Sequence, residues 1–379
     1  MKVIISPSRL EGAVKAPPSK SFAHRALICS ALAGGKSTVR GISESEDMAA
    51  TLDCIAALGA KYHREGSSVT VWGRKPGVPT DGIFNCRESG STLRFMIPVS
   101  LTGGRERFEG TERLMARGVG IYEDILSEKG IEITKLPDGI EFDGYLPAGE
   151  YVMRGDLSSQ FVTGLLLALP EKAGDSVIKV LPPVESRPYI DVTLSVLSAF
   201  GITVHETEPN IFAIPGGQRY MPREYDTEGD WSNAAALAAF NNIGGRLDIT
   251  GLNYDSVQGD KICLEYLNRL REPGAEIDIK NCPDLGPVLF AAAAAAGGGG
   301  GRNMPALQRP LRQVEVTAQK KLCFRVRGRQ GEDFRLEVVF VAVTDEHQQR
   351  LLRQRRQRFF PPVEKKCDGV QLDEKAGMI

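Results

Sequence analysis

Histidine is scarce in this chain: the four in 379 residues (His24, His63, His205, His347) never stand at metal-ligand spacing, which removes the common metalloenzyme patterns. The seven cysteines (Cys29, Cys54, Cys86, Cys263, Cys282, Cys323, Cys367) are odd in number and scattered, with no CxxC pair, so no disulfide framework or zinc site is indicated. A reducing cytoplasm is the simplest setting. Neither GxSxG nor GxGxxG occurs, which leaves hydrolase and dinucleotide readings without support. No apolar run approaches the roughly 18 residues needed to cross a bilayer, and the apolar part of MKVIISPSRLEG is too short for a signal peptide. AGGKST (33–38) resembles the end of a phosphate-binding loop, but Ser30 stands where its first glycine belongs and the segment leaves a helix for a strand. It reads as a helix stop.

What the sequence does have is a long period. Gly59, Gly130, Gly201 and Gly274 close amphipathic helices in ALGAKY, EKGIEI, AFGITV and EPGAEI, at spacings of 71, 71 and 73 residues. The strands STVRGI, RERFEG, SVIKVL and GRLDIT open the corresponding units. Within DMAATLDCIAALGAKY, Met48, Leu52, Ile55 and Leu58 recur at helical steps before Gly59, which is expected to end the helix in a left-handed conformation. Further helices are expected at SFAHRALICSALAGG, STLRFMIPVSL, SSQFVTGLLLALP and WSNAAALAAF. The pattern predicts an α/β protein of repeated βαβαββ modules, each needing copies of itself to bury its apolar face. A fifth closing glycine is due near position 345, where the sequence reads VTDEHQQR.

Composition breaks near the same place. Residues 302 to 379 hold 17 Lys+Arg against 10 Asp+Glu and nine of the twelve glutamines, whereas residues 1 to 301 hold 30 against 38. The joint is the AAAAAAGGGGG tract at 291–301. QQRLLRQRRQR (348–358) is basic, but it lacks the aromatic interleaving and motifs of a nucleic-acid binder.

Four helix entrances carry groups suited to anions. PPSKSFAHR places Lys20, Ser21 and Arg25 around the first turns of a helix, and RESGSTLR (87–94) supplies a small-residue loop. GDLSSQF places Ser158, Ser159 and Gln160, and ESRPYID places Ser186, Arg187 and Tyr189. Exposed N–H groups and the positive dipole end favour phosphate or carboxylate there, and Lys or Arg adds charge-assisted hydrogen bonds. Each entrance taken singly is equally an ordinary Ser cap. Several on one chain point to a multiply anionic ligand. Asp284, in NCPDLGP ahead of an apolar run, reads by itself as a helix cap.

In order along the chain, PSKSFAHRAL, ESGSTLR, GTERLMAR, DLSSQF, SRPYID, EGDWSNAA and CPDLGPV resemble the 5-enolpyruvylshikimate-3-phosphate synthase family over about Val3 to Gly301. The related transferase that acts on a UDP-aminosugar shares the fold but lacks the SKS, SSQ and S(R/K)PYID set. The resemblance implies the two-domain enolpyruvyl transferase fold, an inside-out α/β barrel, with residues 16–226 as one domain and 1–15 plus 227–379 as the other. It implies transfer of an enolpyruvyl group from phosphoenolpyruvate to 3-phosphoshikimate by a monomer, with no metal, cofactor, nucleic acid or membrane. Lys20, Gly90, Arg117 and Gln160 would hold phosphoenolpyruvate. Ser21, Arg25, Ser158, Ser159, Gln160, Ser186, Tyr189 and Asp284 would hold 3-phosphoshikimate, with Asp284 and Lys20 as catalytic groups. Glu88 stands where many members have Asn, a carboxylate expected to weaken binding of an anion or of glyphosate. After Gly301 the family's KE(S/T)DR, DHRxAM and KS(Y/F)P segments are absent. The expectation is that residues from about 302 are read out of frame and that the chain as written has little activity, or is an inactive 3-phosphoshikimate binder.

Overall fold

A computed structural model of the chain describes residues 10–75, 82–156, 158–272 and 275–297, together with short strands at 315–317, 321–322 and 342–343. After a first strand, β1 (Glu11–Lys15), three modules follow. The first runs α1 (Lys20–Leu32), β2 (Lys36–Arg40), α2 (Glu46–Ala57), β3 (Lys61–Glu65) and β4 (Ser68–Trp72). The second runs β5 (Ile83–Asn85), α3 (Gly90–Ser100), β6 (Thr102–Glu109), α4 (Glu112–Ala116), α5 (Gly120–Glu128), β7 (Glu132–Leu136) and β8 (Gly139–Tyr145). The third runs β9 (Glu150–Arg154), α6 (Ser159–Ala168), β10 (Ser176–Leu181), α7 (Arg187–Ala199), β11 (His205–Glu208) and β12 (Ile211–Ile214), and leads into β13 (Glu224–Asp226).

Each module builds a four-stranded sheet of one topology. In the second, β5 lies parallel to β6, which pairs antiparallel with the hairpin β7–β8; in the third, β9, β10 and the hairpin β11–β12 repeat this arrangement. The first module has no edge strand of its own ahead of α1. Its sheet, in the order β13-β2-β4-β3, takes that parallel edge from residues 224–226, after the third module has been completed. The strands read from sequence as openings, STVRGI, RERFEG and SVIKVL, are therefore second strands of their sheets.

The helices divide into two kinds. Helices α2, α5 and α7 bury one face and end at Gly59, Gly130 and Gly201, whose φ values of 99°, 79° and 81° are the left-handed conformation expected of them. Gly274 and position 345 lie outside the described residues. Helices α1, α3 and α6 are apolar nearly all round and correspondingly buried, α1 from Phe22 to Leu32. They share one continuous core with the buried residues of the sheets. The core is sealed where the modules meet: Arg74 after β4 pairs with Glu171 at 2.7 Å, and the Lys172 ammonium donates to the Leu101 carbonyl at 3.0 Å. Burial pulls the Lys172 pKa down to about 8.

These modules, with β1 and the segments Leu247–Lys261, make one compact unit, Glu11–Leu237 and Leu247–Lys261. Inside it, β1 pairs with β14 (Arg246–Thr250), and an isolated bridge joins Pro18 to Gly229. The other unit takes Leu10, Ala238–Arg246 and the described residues from Ile262 onward, so α8 (Trp231–Asn242) belongs partly to each. That second unit contains α9 (Cys263–Arg269), β15 (Glu276–Ile277), a 3-10 turn at Pro283–Leu285 and α10 (Gly286–Gly297). Strands β16 (Glu315–Thr317), β17 (Lys321–Leu322) and β18 (Ala342–Val343) extend β15 into a sheet; the rest of 302–379 lies outside the described residues. No helix among the described residues is long and apolar enough to cross a membrane.

Candidate anion-binding site

Three apolar helices that begin on polar motifs converge because the modules repeat, and hydrogen bonds tie their first turns together. At the start of α1 the Lys20 N–H donates to Asp230 at 3.3 Å, while the other oxygen of that buried carboxylate accepts the Asn233 N–H of α8 at 2.8 Å. One carboxylate thus caps two helices. The Lys20 ammonium lies 2.6 Å from Asp47, in the first turn of α2. Ser21 is half-buried one residue further on.

Arg25, one turn into α1, is 3% exposed. Its guanidinium donates to the Thr193 hydroxyl at 2.8 Å, the Ser21 carbonyl at 2.8 Å, the Tyr189 carbonyl at 3.1 Å and the Thr163 hydroxyl at 3.3 Å. It also stacks over Phe95 at 4.9 Å. Arg25 therefore pins α1 to α6 and α7, and burial lowers its pKa to about 10, leaving it charged at neutral pH. Ser186, at the cap position of α7, sits at φ 56° with no capping hydrogen bond from its side chain. A non-glycine residue in the left-handed region is strained, and its hydroxyl is left for another acceptor or donor.

A second cluster forms where α3 meets α6. The Gln160 side chain accepts from Arg94 at 2.6 Å and donates to Ser91 at 2.8 Å. A Cβ placed on Gly90 would lie 2.9 Å from the Arg94 Nη1, 3.4 Å from the Arg117 Nη1 and 3.9 Å from the Gln160 Oε1. Gly90, Arg117 and Gln160, singled out from separate motifs, are thus neighbours. Arg94 joins them, its pKa lowered first by burial and then by the proximity of Arg117. Ser158 caps α6 by accepting the Gln160 N–H at 3.3 Å, and Ser159 beside it is buried. Among the described residues Arg25, Arg94 and Arg117 make no ion pair with a carboxylate. Glu88, by contrast, is paired with Arg113 at 3.3 Å.

Sequence reading missed Arg94, although it lies one helical turn from Gly90 and so on the same face. It also missed Asp230, Thr163 and Thr193. Asp284 belongs to the other unit, where it is exposed within the 3-10 turn Pro283–Leu285. Gly286 begins α10 directly after that turn.

The first turns of α1, α3 and α6 thus carry the hydroxyl, amide and guanidinium groups of a class of proteins that handle anions. The sequence profile of EPSP synthase (3-phosphoshikimate 1-carboxyvinyltransferase) matches residues 4–281. The chain is 39% identical over 316 residues to the 3-phosphoshikimate 1-carboxyvinyltransferase of Clostridium kluyveri, covering 76% of this chain and 72% of that one. With the protein of the same name from Clostridioides difficile it shares 37% over 317 residues, covering 75% and 72%. An EPSP synthase structure from Acinetobacter baumannii shares the fold, with a TM-score of 0.62 at 20% identity over 82% of this chain and 74% of that one. A second structure from that organism gives 0.58 at 23% identity over 69% and 60%. The chain belongs to the EPSP synthase family, a family of transferases.

Proposed function

We propose that this protein moves the enolpyruvyl group of phosphoenolpyruvate onto the 5-hydroxyl of 3-phosphoshikimate. The observation that carries this is the set of three arginines, Arg25, Arg94 and Arg117, held beside the starts of α1, α3 and α6 without a carboxylate partner among the described residues. A buried cation such as Arg25, and to a lesser degree the half-buried Arg94, is costly until an anion completes it, while the exposed Arg117 adds a further cation, and both substrates bring phosphate and carboxylate. In the first step the 5-hydroxyl oxygen bonds to C2 of phosphoenolpyruvate, its proton leaves to a base and C3 gains a proton. In the second, C3 gives up a proton and the C2–phosphate oxygen bond breaks, releasing inorganic phosphate.

Lys20, Gly90, Arg117 and Gln160, with Arg94 supporting Gln160, take the phosphoenolpyruvate phosphate. Ser21, Arg25, Ser158, Ser159, Ser186 and Tyr189 take 3-phosphoshikimate, and Asp284 receives the hydroxyl proton. Lys20 also stabilises the charge that develops on the departing phosphate. The protein acts as a cytoplasmic monomer of two domains, 16–226 and 1–15 with 227–379. Because the family's KE(S/T)DR, DHRxAM and KS(Y/F)P segments are missing after Gly301, turnover by the chain as written is expected to be slight. Phosphate release requiring both substrates is the direct test: sustained release sinks the expectation of inactivity. Translation of the coding DNA in its other two frames tests the origin of residues 302–379, and the frameshift idea fails if neither frame yields KE(S/T)DR-like and DHR-like segments.

A second reading, a 3-phosphoshikimate binder without turnover, is favoured by one point. Every group assigned to that ligand except Asp284 falls in the Glu11–Leu237 unit. Calorimetry separates the two, since heat of binding with no phosphate release supports the binder alone.

A further inference from the structure

Between Lys20 and Arg25 on α1 stands a titratable side chain that the reaction above leaves unused. His24 is 2% exposed, its ring edge-on to Phe95 with centroids 6.4 Å apart. Its Nδ1 lies 2.7 Å from the Thr51 hydroxyl of α2, which lies 2.8 Å from the Thr92 hydroxyl of α3. Thr92 in turn donates to the Ser89 hydroxyl at 2.8 Å, and Ser89 also accepts the Thr92 N–H at 3.2 Å as the cap of α3. Three helices are thereby joined by one line of polar groups inside an apolar core.

Counting protons gives that line a direction. Thr92 has a single hydroxyl proton, and Ser89 receives it. The short contact between Thr51 and Thr92 therefore takes the Thr51 proton, which is also within 3.2 Å of the Asp47 carbonyl. None remains for the ring, so His24 must carry its hydrogen on Nδ1. Nε2, which has no partner among the described residues, is then a bare acceptor rather than a stranded N–H. Burial, with Lys20 and Arg25 assisting and Asp47 opposing, lowers the pKa of the ring to about 3 and keeps it neutral. At the far end the Ser89 hydroxyl keeps its own proton, for which there is no acceptor among the described residues. Ser89 immediately precedes Gly90.

We propose that His24 is a positioning residue: its Nδ1–H starts a one-way chain through Thr51 and Thr92 that leaves the Ser89 hydroxyl proton to donate to an anion at the start of α3. This rests on reading that helix start as the phosphoenolpyruvate phosphate site. With the ring hydrogen on Nε2 the chain reverses, Thr51 donates to the ring, and the Ser89 proton is drawn inward to Thr92.

Ring-nitrogen NMR of the full-length protein reads the direction without ligand. His24 should remain in the Nδ1–H form from about pH 8 to about pH 5. An Nε2–H ring overturns the proposal. Calorimetric titration of phosphoenolpyruvate into protein saturated with 3-phosphoshikimate reads the consequence. His24→Asn, whose amide replaces the Nδ1–H, should bind within about twofold of the parent, and His24→Phe about tenfold more weakly, with the affinity for 3-phosphoshikimate unchanged in both. Equal phosphoenolpyruvate affinities in parent, Asn and Phe forms also overturn it. If His24→Phe does not fold, Thr92→Val breaks the chain with a side chain of the same shape and carries the comparison. A parent protein that binds 3-phosphoshikimate but no phosphoenolpyruvate removes the site reading and the proposed donor with it, whereas an Nε2–H ring removes the proposal alone.

Discussion

Arg117 is exposed, lies close to Arg94 and makes no ion pair with a carboxylate among the described residues, so its contribution goes to a ligand and not to the fold. Arg117→Ala should weaken phosphoenolpyruvate binding about 10- to 100-fold, the worth of a charge-assisted hydrogen bond of about 1.5–3 kcal/mol, with little change in melting temperature. Calorimetry beside a thermal melt checks both halves. His24 behaves in the opposite way, acting on stability through pH. Its pKa is lowered from 6.5 to about 3, so below 6.5 the unfolded chain takes up the proton first. The stability present above 6.5 is lost as pH falls towards 3, at a slope approaching about 1.4 kcal/mol per pH unit. Melts near pH 7 and pH 5 should therefore fall further apart for the parent than for His24→Asn. At this scale Gly90, Arg117 and Gln160 were legible because each stood in a motif of unusual composition. Thr163 and Thr193 were not: a hydroxyl serving a buried guanidinium looks, in sequence, like any threonine in a helix.

Helices α3 and α6 pack tightly at Gly164. A methyl group there would run into the Tyr122 hydroxyl and the Arg94 carbonyl, and that hydroxyl already holds the Arg94 and Phe161 carbonyls at 2.9 Å. Gly164→Ala should destabilise the protein by about 1–3 kcal/mol, the usual cost of overpacking, and displace Arg94 and Gln160 together. A lowered denaturant midpoint with weakened phosphoenolpyruvate binding is the expected result, and an unchanged midpoint would contradict it. The helices were readable from their 3.6-residue period and closing glycines, since both reflect burial of one face and the conformational freedom of glycine. The edge strands β5 and β13, three residues each, were not. IFN and EYD are too short to show alternation, and only pairing with β6 and β2 makes them strands.

For the whole molecule, the decisive fact is that the first sheet is completed by residues 224–226. The Thr38 N–H donates to the Arg223 carbonyl and the Thr227 N–H to the Arg40 carbonyl, at 2.9 and 3.0 Å, so the first module cannot open without releasing the end of the third. Unfolding of the Glu11–Leu237 unit should be a single cooperative transition despite its three repeats. Native-state hydrogen exchange tests this: the amides of Thr38, Arg107 and Val180 should report one common free energy, and separate values would mean modules that open independently. The 71-residue period announced the modules but not this closure, because a strand supplied 150 residues and more away leaves no trace in local pattern.

The same closure bears on ancestry and engineering. The chain enters and leaves the three-module body side by side, with the Ser19 N–H donating to the Glu228 carbonyl at 2.8 Å beside the Pro18–Gly229 bridge. Topologically the body is a guest inserted into a host at one doorway, and its modules form a ring that happens to be cut there. A circular permutant that opens this ring at the loop between two other modules, and seals it at the doorway, has the same sheets to form.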